Sequence, residues 1–145
     1  MSIAVGAVVA MGAARLTPGA IIRPRVITAW IGLGIFWCGI ALRLWSFRTL
    51  GRYFTFTVQT SADQPVISHG PYRMVRHPSY TGLLLVVLGV GLLVGNWWWL
   101  LSMTVAVTGG LVFRIRVEER ALMRTLGDEY RNYAANHKRL VPFIW

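Results

Sequence analysis

Between His77 and Phe113 the chain carries no Lys, Arg, Asp or Glu. As a single helix those thirty-seven residues would reach about 55 Å, nearly twice the ~30 Å hydrocarbon layer of a bilayer. The run must therefore fold back on itself. Gly95-Asn96 supplies the natural hinge, and Trp97-Trp98-Trp99 follow at once as an aromatic belt at a membrane face. The arms read as 79–94 and 97–115, a tight helical hairpin. Gly82, Gly89, Gly91 and Gly95 on one arm and Gly109-Gly110 on the other permit close backbone approach. The same small residues would equally leave a slot for a flat ligand.

Composition agrees with a membrane setting. At 145 residues the chain makes a single domain, 55% hydrophobic and 14% charged, against about 25% charged in soluble domains. Its net charge is +10. On a soluble protein that excess would suggest nucleic acid, a partner not expected here. With so much apolar surface the counter-charge is an anionic lipid face, or the arginines set topology by the positive-inside rule. Cys38 is the sole cysteine, which excludes a disulfide within the chain. His69, His77 and His137 are too few for a metal site, and no Gly-x-Ser-x-Gly elbow or phosphate-binding loop exists.

The remaining segments set the overall plan. Residues 26–47 read as a crossing of about 33 Å. Its one charge, Arg43, either snorkels to the headgroups or faces a polar cavity. Residues 1–22 make a further apolar stretch, interrupted by Arg15 and Pro18 and not read as a cleaved leader. The loop 48–76 is rich in arginine, with a weakly alternating piece at Tyr53–Val58 and a turn at Ser61–Pro65. Residues 114–136 read as an amphipathic helix leaving the last crossing along the membrane surface, with Leu122, Leu126, Tyr130 and Tyr133 on one face. The expected fold is thus an all-α integral membrane protein. It has about four transmembrane helices, with a tight hairpin and an amphipathic C-terminal helix. Placing the uncharged Gly95-Asn96 turn outside puts the 48–76 loop and the C-terminus in the cytoplasm. Arg15, Arg23 and Arg25 then lie on the outer side if both early segments cross.

The chemistry gathers at Gly70–Gly82, GPYRMVRHPSYTG. A residue before proline is pushed out of the helical region, while proline suits the first helical turn. His77 is therefore expected at a loop–helix junction, with Ser79 and Tyr80 entering the helix. The hairpin brings Tyr72, Arg73, Arg76, His77 and Tyr80 to the same membrane face as Arg114, Arg116, Glu118 and Glu119. The two glutamates either pair with Arg114, Arg116 or Arg120 on their own helix or face a shared pocket.

Gly70-Pro71-Tyr72-Arg73-x-Val75-Arg76-His77-Pro78-x-Tyr80-x-Gly82, then a hairpin, then Arg114-x-Arg116-x-Glu118-Glu119-x-x-Leu122, closely resembles the isoprenylcysteine carboxyl methyltransferase family. That family groups with the phospholipid methyltransferases. Gly127-Asp128-Glu129-Tyr130-x-x-Tyr133 and Arg139-Leu140-x-Pro142 resemble its tail. The match runs over residues 42–145, with residues 1–25 outside it and 70–139 as the core around the cofactor. The resemblance implies an enzyme using S-adenosylmethionine, with His77, Tyr80 and Glu119 on the cofactor and Tyr72 and Val75 lining its pocket. Arg116 would hold a substrate carboxylate, and Glu118 would serve as base if the acceptor needed one. The implied reaction is in-line methyl transfer to a lipophilic or lipidated acceptor drawn from the bilayer, favouring carboxyl O-methylation of an isoprenoid-like molecule. Alternatives are N-methylation of a phospholipid amine, or a non-enzymatic basic module on anionic lipid. The expected place is the inner (cytoplasmic) membrane with the site facing the cytoplasm, and an oligomer is compatible with the sequence.

Overall fold

The structure is a computed structural model, described here for residues 20–51 and 66–141. Helix α1 spans Arg25–Leu50, α2 spans Pro78–Val94 and α3 spans Trp97–Asn136, and a short 3-10 turn, Gly70–Arg73, precedes α2. Among the described residues there are no strands, only two isolated bridges. Helices α1 and α3 are each long and apolar enough to cross a membrane. Helix α2 is a shorter apolar helix of 17 residues without a charge. These three stand where the sequence places three of its crossings. Residues 1–19, Tyr53–Val58 and Ser61–Pro65 lie outside the described residues.

The chain divides into two compact units. The first comprises residues 1–40 and 82–111, the second 41–81 and 112–145. In the first, α1 and α2 meet backbone to backbone. A Cβ built on Gly89 would lie 2.6 Å from the Phe36 nitrogen and 2.7 Å from the Gly32 oxygen. One on Gly39 would lie 2.7 Å from the Gly82 oxygen. No side chain fits at either point, so glycine is what lets these helices pack in the absence of a hydrophobic drive between them. Gly91 meets Leu100 of α3 in the same way. Gly109 and Gly110 have open space around them, so the close approach expected of that pair is not made. The glycine seam joins α1 to α2 instead.

The hinge forms at the expected dipeptide. Gly95 takes φ of 69°, a left-handed value that costs glycine nothing, and its N–H closes α2 on the Gly91 carbonyl. Asn96 then caps α3, its Oδ1 accepting from the N–H groups of Trp98 at 2.9 Å and Trp99 at 3.2 Å. Helix α3 does not break where its composition turns polar at Arg114. It runs on to Gly127, whose φ of 55° and ψ of −128° interrupt the helix.

Candidate functional site

The polar residues singled out from the sequence all lie in the second unit. The junction is built as the motif dictates. Pro78 opens α2, and the His77 carbonyl accepts from the N–H groups of Tyr80 at 3.0 Å and Thr81 at 3.1 Å. That fixes the His77 backbone and aims its ring inward, where the residue is 6% exposed.

The centre of the site is Glu119, 4% exposed on α3. Its Oε1 meets Arg76 Nη1 at 2.8 Å and His77 Nε2 at 3.3 Å, and its Oε2 accepts from Arg139 Nε at 3.0 Å. A carboxylate stripped of water is costly unless paired and hydrogen-bonded. Here three donors from two segments distant in sequence surround it. Glu119 stands six residues beyond Phe113, past the uncharged crossing. Burial by itself would raise its pKa. The His77 hydrogen bond, the Arg76 charge and the Arg139 hydrogen bond outweigh that, and the carboxyl is held below its ordinary value.

Beside it runs a second chain of contacts. Arg114 Nε donates to the Tyr80 hydroxyl at 2.8 Å, and that hydroxyl donates to Glu118 Oε2 at 2.8 Å. The Tyr80 ring stacks on His77 with centroids 5.6 Å apart. The two glutamates therefore take partners from the loop, α2 and the C-terminal segment, and Arg114 of their neighbouring arginines joins through Tyr80. Arg116 is exposed. Val75 is 4% exposed and pairs in parallel with Lys138. Tyr72 is half-buried, its carbonyl accepts from the Tyr133 hydroxyl at 2.7 Å, and burial pushes its phenol pKa up. Arg43 donates from Nη1 to the Ser79 carbonyl at 2.9 Å.

The C-terminal segment contributes more than its sequence advertises. The Lys138 carbonyl accepts from the Arg76 N–H at 2.8 Å, and the Arg139 carbonyl from the His77 N–H at 3.0 Å. The Leu140 carbonyl accepts from Thr81 Oγ1 at 2.6 Å. Arg139 as a partner of Glu119 was not deduced from the sequence, and with fourteen arginines present no spacing rule could have selected it. Arg76 keeps one donor in reserve, since its Nε is buried and has no hydrogen-bond partner among the described residues. Among the described residues no group of three or more His, Cys, Asp or Glu could hold a metal.

Apolar helices packed through glycine, with a buried ion cluster at the mouth of α2, define an all-helical membrane protein with a polar site. Comparison with known proteins sharpens this. Residues 27–129 match the family model described as phospholipid methyltransferase. A probable protein-S-isoprenylcysteine O-methyltransferase of Oryza sativa subsp. indica is 30% identical over 80% of this chain and 62% of its own length. Protein-S-isoprenylcysteine O-methyltransferase A of Arabidopsis thaliana is 31% identical over 78% of this chain and 58% of its own. The solved eukaryotic intramembrane Ras methyltransferase, an isoprenylcysteine carboxyl methyltransferase, superposes with a TM-score of 0.75 at 31% identity. That match covers 80% of this chain and 42% of the other. The chain thus spans about three fifths of the length of these curated relatives. It belongs to the phospholipid methyltransferase family.

Proposed function

We propose that the protein is an S-adenosylmethionine-dependent membrane methyltransferase that methylates a carboxylate on a lipophilic, isoprenoid-like acceptor. The observation that carries this is the buried cluster of Glu119, His77, Arg76 and Arg139, in a chain whose relatives are named for that activity. The cofactor's amino-acid end asks for a carboxylate and a hydrogen-bond donor side by side. Glu119 and the unpartnered Arg76 Nε offer one of each within the same cluster, so the residues fit the group. Glu119, His77 and Tyr80 would hold it, with Tyr72 and Val75 as lining. When bound it supplies a methyl on a sulfonium sulfur, transferable to an oxygen or nitrogen nucleophile.

The chain's own residues do the positioning. Arg116 presents a guanidinium fork suited to an acceptor carboxylate. A carboxylate is already ionised at neutral pH, so no residue need take its proton. An amine would need a base, and the nearest is Glu118, one of whose oxygens is occupied by the Tyr80 hydroxyl. The buried cluster keeps water from the nucleophile, and fixed donors lower the barrier through orientation. We place the protein in the inner (cytoplasmic) membrane with this site facing the cytoplasm and the acceptor drawn from the bilayer.

The test is calorimetry with S-adenosylmethionine in lipid-like detergent, followed by labelled-methyl transfer to membrane extracts. Binding together with base-labile label supports carboxyl methylation. Base-stable label would move the reading to methylation of a phospholipid amine, in keeping with a family model described as phospholipid methyltransferase. Absence of binding by a folded protein would reject both.

A further inference from the structure

Residues 1–40 and 82–111, the ranges of the first unit, contain three arginines (15, 23 and 25) and no Asp or Glu. Arg23 and Arg25 are exposed, and neither forms an ion pair among the described residues. The backbone here is stitched to the α2–α3 turn. The Ile22 N–H donates to the Gly95 carbonyl at 2.9 Å, and Ile21 pairs antiparallel with Asn96. The stitch lays Arg25 across the turn: a Cβ built on Gly95 would lie 3.7 Å from its Nη2. It also carries both cations to the turn that Trp97 and Trp98 follow at once, with indoles 49% and 59% exposed.

Two features give this surface a direction. Indoles exposed at the end of an apolar helix belong at headgroup depth. Cations there attract anionic headgroups, and a guanidinium fork matches phosphate oxygens. Next along α1 come Val26, Ile27 and Trp30, exposed by 70%, 58% and 70%. That apolar strip suits an acyl chain and gives a soluble anion nothing. We propose that Arg23 and Arg25, with Trp97 and Trp98, form a binding site for the phosphate headgroup of an anionic phospholipid.

The site is independent of the methyl-transfer reading, and its test does not use activity. The purified protein is placed in phosphatidylcholine bilayers. Brominated phosphatidylglycerol is titrated in, and tryptophan quenching reports its local enrichment. Each arginine near an anionic surface changes affinity by roughly fivefold, so Arg23→Gln with Arg25→Gln should weaken enrichment by about 25-fold. Arg124→Gln with Arg131→Gln, elsewhere on the chain, should leave it unchanged. Equal enrichment in wild type and the Arg23/Arg25 double variant would overturn the proposal. So would full competition by millimolar inorganic phosphate, which would mark a site for free phosphate. Should the double variant fail to fold, as judged by circular dichroism, the single Arg23→Gln variant decides. Its side chain is exposed and in no ion pair among the described residues, and its expected loss is about fivefold.

Discussion

Replacing Glu119 by Gln removes the negative charge paired with Arg76, whose side chain is 9% exposed. Breaking a buried ion pair from one side costs about 3–5 kcal/mol, because the remaining charge stays desolvated. Gln keeps a carbonyl acceptor in nearly the same place, which returns about 1 kcal/mol as a neutral hydrogen bond. Arg139, with a third of its side chain in solvent, adds at most about 1 kcal/mol. The expected loss at neutral pH is therefore about 2–5 kcal/mol. It is measured by reversible unfolding in mixed micelles titrated with denaturing detergent. The companion variant is Arg76→Met, alone and combined with Glu119→Gln. If the two groups stabilise each other, the double variant is at least about 1 kcal/mol more stable than the sum of single losses predicts. A loss below about 1 kcal/mol in the single variant, or additivity within ~0.5 kcal/mol, would refute the reasoning. The same arithmetic warns that Glu119 substitutions test stability and ligand binding together.

Three further outcomes follow from the structure. The Glu119 carboxyl is held below its ordinary value, so its contribution is complete above the unfolded carboxylate pKa of about 4.3 and fades as pH falls through the lower folded value. Acid titration of unfolding should therefore show a steeper decline below about pH 4 in wild type than in Glu119→Gln. Gly89→Ala forces a methyl onto the Phe36 backbone and should cost about 1–3 kcal/mol. Gly109→Ala meets open space and should be neutral or stabilising, and equal effects in a thermal melt would contradict the seam. Arg116→Ala should leave S-adenosylmethionine affinity within twofold and reduce methyl transfer at least a hundredfold. Lost affinity in that variant would remove Arg116 from acceptor recognition.

Local chemistry made much of this molecule readable in advance. Pro78 announces a helix start and so puts His77 at its mouth, and Gly95-Asn96 between two uncharged runs reads as the hinge, although the cap that Asn96 gives α3 emerges only in the structure. What stayed hidden was long-range or cooperative. Glu119 had Arg114, Arg116 and Arg120 close by in sequence, yet its partners are Arg76 and Arg139. Only the folded chain decides which of many equivalent cations reaches a buried acid. The change from apolar to polar at Arg114 suggested a new element, but composition does not break a helix. A residue with left-handed backbone does, and that is Gly127. Gly109-Gly110 looked like a contact because small residues permit one, whereas nothing in their identity requires it.

The last stitches around His77 come from Lys138, Arg139 and Leu140, and the bond from Thr81 to Leu140 spans 59 positions. A ribosome adding about 5–20 residues per second needs roughly 3–12 s to cover that interval. Once Glu119 has been added, Arg76 and His77 can pair with it, while its third partner, Arg139, comes twenty residues later. Greasy segments can settle in the bilayer early, but the polar cluster around His77 is completed only when residues 138–140 arrive. A chain halted shortly before that point would keep the glycine seam of α1 and α2 but lack the Arg139 partner of Glu119 and the carbonyls that accept from residues 76, 77 and 81.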